Sequence, residues 1–198
     1  MKIKVKFCGM TRREDIEAAQ KLNVDFLGFV FVTTSPRCVT LAQAKQLRAI
    51  ANKANVVGVF EQHSVDEIEE HIRMLTLDFV QLYGEPNIGI ALRMSVPVIQ
   101  AFRGIPDRRV LDDYFSHSVH VLIDKAENHE EADCDFIASL PLHIRSKLFL
   151  AGGLTPENVR IAVDQIEPFA VDCARGIESE PGIKDHDRMI AFLHALSP

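Results

Sequence analysis

The sequence predicts an α/β protein, a single (β/α)8 TIM barrel of the short version with an irregular sixth βα unit, and three observations predict it. Eight short apolar runs rich in β-branched residues recur along the 198 residues, with stretches of helical period between them. Such regular alternation calls for a parallel sheet with crossover helices. Eight units with no second set of elements suit a closed ring better than an open sheet. The rival, an open doubly wound sheet holding a dinucleotide, lacks the G-x-G-x-x-G turn that its first strand would need. One domain spanning residues 1–198 is the simplest organisation, because no linker or short repeat interrupts the pattern.

Val5–Phe7 reads as the first strand and leads into a helix near Arg12–Leu22. Phe26–Phe31 is almost continuously apolar, as a strand covered on both faces should be. A helix over about Leu41–Lys53 and a strand at Val56–Phe60 follow. Ser64 with Glu67 three residues later is a capping box opening a helix to about Leu75. The remaining strands are Phe79–Leu82, Val96–Phe102, Val119–Ile123, Leu148–Leu150 and Phe169–Val171. After Leu150, Thr155 is the expected helix cap with Pro156 at the first helical position. The last helix runs from about His186 to Leu196, capped by Asp185. The sixth unit is the weak one: residues 125–135 hold no glycine, and only a faint helix follows at about Phe136–Leu140.

Composition narrows the function. Net charge is −6, from 22 basic and 28 acidic residues, with no strong basic run, which disfavours nucleic acid or an anionic membrane as partner. No apolar stretch approaches the ~20 residues that cross a bilayer. Cys8, Cys38, Cys134 and Cys173 form no C-x-x-C pair and the first residues alternate charged with apolar, so the expectation is a reduced, cytoplasmic protein with free thiols. The histidines, among them His63, His71, His117, His120, His129 and His143, show no metal-ligand spacing, so no metal site is expected. A small molecule remains the partner, and the chain is expected to be a monomer, with a homodimer as the alternative.

In such a barrel the active site is built where strands end. Those positions hold Cys8, Ser35-Pro36-Arg37, Gln81, Arg103, Asp124, Gly152-Gly153 and the run from Asp172 to Gly176. They mix proton-transfer groups with anion binders. Cys8 on its own would be a small buried apolar residue, but Gly9 lets the backbone turn and leaves the sulfur facing the cavity. To act as a base near neutral pH, the thiol needs a cation or helix N-terminus beside it. Asp124 is partnered by a cation such as Lys125 or Arg103, kept protonated by a dry pocket, or a cap for its loop; spacing leaves all three open. Arg37 alone reads most simply as a solvated loop residue, though its guanidinium could fork onto a carboxylate. Gly152-Gly153 and the segment Asp172-Cys173-Ala174-Arg175-Gly176 follow strands seven and eight, where barrels commonly hold a phosphate.

Several segments, in order and spanning nearly the whole chain, carry a resemblance: Lys6-Phe7-Cys8-Gly9-Met10-Thr11, Gly28–Phe31 with Ser35-Pro36-Arg37, Val57–Phe60 and Val80-Gln81-Leu82-Tyr83-Gly84. Ala151–Val159, Gly176–Ser179 and Pro181–Asp185 complete it. The chain resembles the phosphoribosylanthranilate isomerases of tryptophan biosynthesis. That resemblance implies a cofactor-free Amadori rearrangement in a (β/α)8 barrel, with Asp124 as general acid and Cys8 as general base. It also implies that Arg37 holds the anthranilate carboxylate, and that groups around Gly152 and Gly153 and the turn Ala174, Arg175, Gly176 bind phosphate. Gln81 and Arg103 complete the expected substrate-binding set.

Two departures from the family pattern stand out. The family's glycine- and threonine-rich loop after the catalytic aspartate is replaced by acidic residues 125–135, which are expected to point away from phosphate or to be disordered without substrate. Cys173-Ala174-Arg175 stands where small hydroxyl residues are usual, and Arg175 is expected to compensate. Two alternatives stay open: a related barrel isomerase acting on another phosphosugar, and a non-catalytic phosphosugar-binding descendant.

Overall fold

The computed structural model describes residues 3–117, 119–125 and 133–197. The first half of the chain comprises β1 (Lys4–Cys8), α1 (Arg13–Lys21), β2 (Phe26–Val30), α2 (Leu41–Arg48), β3 (Asn55–Glu61), α3 (Val65–Leu75), β4 (Phe79–Tyr83), α4 (Ile88–Ala91) and β5 (Val98–Arg103). Then come α5 (Arg108–Ser116), β6 (His120–Asp124), α6 (Cys134–Ser139), α7 (Leu142–Arg145), β7 (Leu148–Leu150), α8 (Val159–Ile166) and β8 (Ala170–Cys173). A small hairpin, β9 (Glu178–Glu180) and β10 (Ile183–Lys184), precedes α9 (His186–Ala195). Strands β1 to β8 are hydrogen-bonded in sequence order and close into a barrel. β8 returns to β1 in parallel, with Lys6 opposite Asp172.

Alternation along each strand sends successive side chains to opposite faces and so builds two cores. Phe7, Ile16, Leu27, Phe29 and Phe192 pack in the layer between strands and helices. Phe26, Val57, Ile99, Leu122, Phe149 and Ala170 fill the barrel interior. There Phe26 meets Phe79 and Phe149 edge-on, with ring centroids 5.5 and 5.4 Å apart. This filled floor leaves the upper end of the barrel as the place for a cavity.

Local signals set most boundaries. The Ser64–Glu67 capping box forms as expected, and Asp185 caps α9 by accepting from the Arg188 amide. Three expectations are corrected. First, α2 ends at Arg48 rather than near Lys53, because Gln20 of α1 captures the chain beyond it. Gln20 Oε1 accepts from the Asn52 and Lys53 amides at 2.8 and 2.9 Å, and its amide donates to the Ile50 carbonyl. Second, Thr155 and Pro156 do not open α8, which starts at Val159. Asn158 accepts from the Thr155 amide at 2.8 Å and donates to the Gly153 carbonyl at 3.0 Å, holding 155–158 as a turn tied to the glycine pair.

Third, the faint helix of the sixth unit is resolved into two short ones, α6 and α7. The middle of the acidic segment, residues 126–132, lies outside the described residues, as does His129. At its described end Asp133 caps α6, and Asp135 accepts from Gln165 of α8 at 2.7 Å, so both carboxylates serve the helical layer.

Candidate active site

A cavity of about 340 Å³ opens at the C-terminal end of the barrel strands. Its lining includes Cys8, Arg37, Gln81, Arg103, Asp124, Gly152, Gly153, Ala174, Arg175 and Gly176, so the structure brings together the expected proton-transfer and substrate-binding residues; of the other strand-end positions Pro36 stays outside. Strand ends deliver Cys8 from β1 and Asp124 from β6 to this one mouth.

The Cys8 side is dense with charge. The sulfur lies over Gly28 of β2, its register partner, where an added Cβ would come within 2.7 Å of it. Burial pushes the thiol up, while Lys6 and Lys184 pull the other way. Lys6 is wholly buried and bonds Asp172 Oδ2 at 2.8 Å. Lys184 is equally buried; its ammonium donates to the Cys8 carbonyl at 2.6 Å, the Ala174 carbonyl at 3.2 Å and Glu178 Oε1 at 2.8 Å. Glu178 in turn receives the Arg37 fork, Nε to Oε1 at 2.8 Å and Nη2 to Oε2 at 2.5 Å.

Arg37 is therefore no solvated loop residue. One edge of its guanidinium is fixed by Glu178, while Arg37 as a whole lines the cavity. Gly9, at φ +73°, takes a left-handed conformation, and a side chain there would collide with the Arg37 stem.

On the Asp124 side, two neutral donors reach the carboxyl. The Tyr83 hydroxyl donates to Asp124 Oδ2 at 3.0 Å, and the Lys125 amide to Oδ1 at 2.8 Å. The second bond is the loop-capping role that spacing had left open. Burial, reinforced by Asp124, holds the Tyr83 phenol well above its ordinary range, so it stays a donor. Arg103 forks onto Glu61 at 2.8 and 3.1 Å and lies 4.7 Å over the Tyr83 ring.

Between the two sides, the buried acceptors Gln81 Oε1 and Asp172 Oδ1 have no hydrogen-bond partner among the described residues. Gly152 and Gly153, at φ +89° and +77°, bring backbone to the cavity wall. A second hollow adjoins it, lined by the cations Lys125, Arg175 and Arg188, by Glu178, and by the segment Gly153–Thr155 with Gly176. Arg188 is braced there by its bond to the Gly176 carbonyl at 2.8 Å. Cys173 bonds the Leu154 carbonyl at 3.2 Å, and burial lifts its thiol to about 12, in keeping with a structural role.

Sequence reasoning did not single out Lys6, Tyr83, Glu178, Lys184 or Arg188. Lys6 had a usable signal: it stands two before Cys8 on a strand and so shares its face. The Glu178–Lys184 pair has none before the hairpin is known. No histidine among the described residues is part of this lining; His63 and His71 pack against Phe60, and His120 lies between Phe79 and Phe169. Among the described residues no group of three or more His, Cys, Asp or Glu gathers where it could hold a metal ion.

Comparison with known proteins agrees in one direction. A family model described as N-(5'phosphoribosyl)anthranilate (PRA) isomerase matches residues 5–195. The chain belongs to this isomerase family. A relative from Syntrophus aciditrophicus, an N-(5'-phosphoribosyl)anthranilate isomerase by name, is 38% identical over 97% of this chain and 86% of its own length. The crystal structure of the phosphoribosyl anthranilate isomerase of Thermotoga maritima superposes with a TM-score of 0.86 at 33% identity, covering 98% of each chain. Another solved structure, of a phosphoribosyl anthranilate isomerase in complex with reduced 1-(o-carboxyphenylamino)-1-deoxyribulose 5-phosphate, gives a TM-score of 0.84 at 32% identity, again over 98% of each chain.

Proposed function

We propose that the chain is an N-(5'-phosphoribosyl)anthranilate isomerase of tryptophan biosynthesis, converting its substrate to 1-(2-carboxyphenylamino)-1-deoxyribulose 5-phosphate without a cofactor. The observation that carries the reading is the shared mouth: Cys8 and Asp124 line one cavity with Arg37 and the glycine loops. A carboxyl acid and a thiol base reaching a sugar from separate strands suit an aldose–ketose shift, which needs one proton delivered and another removed.

In this reading the Asp124 carboxyl, protonated in the reactive state, gives its proton to the ribose ring oxygen as the C1–O bond breaks. The anthranilate nitrogen lends its lone pair and becomes a Schiff base. Cys8, as thiolate, then takes the C2 proton. The freed electron pair forms the C1–C2 double bond and returns the C=N pair to nitrogen, giving an enolamine. Transfer of the enol proton to C1 completes the ketone.

Binding follows from the rest of the lining. The edge of Arg37 turned from Glu178 holds the anthranilate carboxylate, and Arg103 with Tyr83 walls the opposite side. Sugar hydroxyls suit the open acceptors of Gln81 and Asp172. The phosphate goes to the adjoining hollow, where Lys125, Arg175 and Arg188 surround the Gly153 and Gly176 backbone. Arg175 there takes the compensating role expected of it. No helix among the described residues is long and apolar enough to cross a membrane, and we place the enzyme in the cytoplasm.

The deciding experiment supplies anthranilate and phosphoribosyl pyrophosphate with the preceding transferase and follows formation of the ribulose product. Rescue of a tryptophan auxotroph lacking the isomerase is its cellular counterpart. Absence of product together with failed rescue would discard the assignment.

A further inference from the structure

Two ammonium groups flank Cys8, and counting their hydrogen bonds separates their roles. Each lysine carries three N–H donors. Those of Lys184 are all engaged, by the Cys8 carbonyl, the Ala174 carbonyl and Glu178 Oε1. Lys184 thus fixes where the backbone of Cys8 sits, with no proton left for the sulfur. Lys6 gives a single bond of this kind, to Asp172 Oδ2 at 2.8 Å, and its charge is the strongest influence opposing burial at the Cys8 sulfur. The placement comes from the sheet. Lys6 and Cys8 are two apart on β1 and share its inner face, and Asp172 is the register partner of Lys6 on β8.

We infer that Lys6 is a positioning residue for the base: its ammonium, held by Asp172 beneath Cys8, is the cation that makes the buried sulfur available as thiolate. This rests on Cys8 being the base in the reaction proposed above. A lysine sealed inside a barrel would ordinarily shed its proton, and burial does work in that direction; Asp172 and Cys8 outweigh it and hold the Lys6 ammonium above the usual lysine range. Burial still holds the Cys8 thiol above its ordinary range, and the Lys6 charge is what limits that rise. Other groups also face the sulfur: Asp172 from β8 opposes the thiolate and Lys184 from β10 favours it. Arg37, from the loop after β2, and Tyr83, on β4, feel the sulfur's charge in return.

The test uses the full-length protein with Lys6→Met, which keeps the apolar stem and removes the charge. Iodoacetamide alkylation of Cys8 is followed against pH and read on the Cys8 peptide by mass spectrometry, which separates it from the other three thiols. Turnover is measured in parallel. The expected result is an upward move of the alkylation midpoint by about one pH unit or more, and a kcat about tenfold lower near neutral pH with KM within about threefold.

If Lys6→Met does not fold, Lys6→Met/Asp172→Asn removes both charges and leaves no unpaired carboxylate. Its midpoint still moves up, by less, because losing Asp172 acts in the opposite sense. An unmoved midpoint in a folded variant overturns the inference, and so does a moved midpoint with unchanged kcat. The alkylation arm needs no substrate. If Cys8→Ala retained full turnover while the midpoint still moved in Lys6→Met, the assignment of the base would fall and the charge coupling would stand.

Discussion

The two walls of the cavity are built on opposite plans. Around Cys8, on β1, β8, the β9–β10 hairpin and the loop after β2, the side chains are charged and paired, Lys6 with Asp172, Lys184 with Glu178, and Arg37 with Glu178, with Asp172 Oδ1 left open. Around Asp124, on β4 and β6, the carboxyl is held by a phenol and a backbone amide. A buried thiol resists ionisation and so needs fixed cations near it. An acid has to hold and release a proton, which a strong cation beside it would oppose. Each wall suits the proton its residue is proposed to carry.

Removing either proton carrier is the hardest way to break the contrast. Cys8→Ala and Asp124→Ala are each expected to lower kcat by at least about 100-fold, measured by steady-state turnover on folded protein. Near-wild-type rates would take that residue out of the mechanism. Next comes Lys184→Met, which leaves Glu178 to Arg37 and the Gly182 amide inside the protein. Breaking such a buried pair costs about 3 kcal/mol, which urea unfolding would register as a lower midpoint at unchanged slope. A loss under about 1 kcal/mol would mean that the pair behaves like a surface bridge.

The anion hollow gives a more moderate effect. Arg175→Ala is expected to raise KM about tenfold, as loss of a charge-assisted contact should, with kcat little changed. An unchanged KM would remove Arg175 from phosphate binding. On the acid wall, Tyr83→Phe deletes one neutral hydrogen bond worth about 1 kcal/mol. Turnover should fall about fivefold, far less than for Asp124→Ala.

The smallest signal is in pH. Burial works to raise the Glu178 carboxyl, but Arg37 and Lys184 outweigh it and hold the group below its usual range. A carboxyl depressed in the folded state stabilises the fold above its unfolded value of about 4.3, and that contribution drains away as pH falls through the folded value. Unfolding titrations should therefore show stability falling below about pH 4.3, with a shallower fall in Glu178→Gln. Identical slopes would assign the acid response to other groups.

How much of this could be read from the chain divides along the same line as local and distant interactions. Strand runs, the Ser64–Glu67 box and the Asp185 cap depend on neighbours a few residues away, so they were legible. The end of α2 was not, because Gln20 reaches it from about thirty positions back. Most residues of the site were placed by counting strand ends, which works because a barrel gathers all such ends at one mouth. Their partners escaped for a physical reason. Lys6 looked like one more charge in an alternating N-terminal segment; alternation gives it the face of Cys8, but only ring closure between β1 and β8 supplies its partner, Asp172.

The brace on Cys8 has a consequence for how the protein matures. The ammonium that grips the Cys8 carbonyl arrives 176 residues later in the chain, and Glu178, which completes the grip, comes from the same closing stretch. Domains made on the ribosome emerge from the N-terminus onward. The Cys8 end of the first strand is thus among the earliest parts synthesised and among the last to be fixed in place, so a nascent barrel carries that sulfur unbraced until the final helix is about to follow.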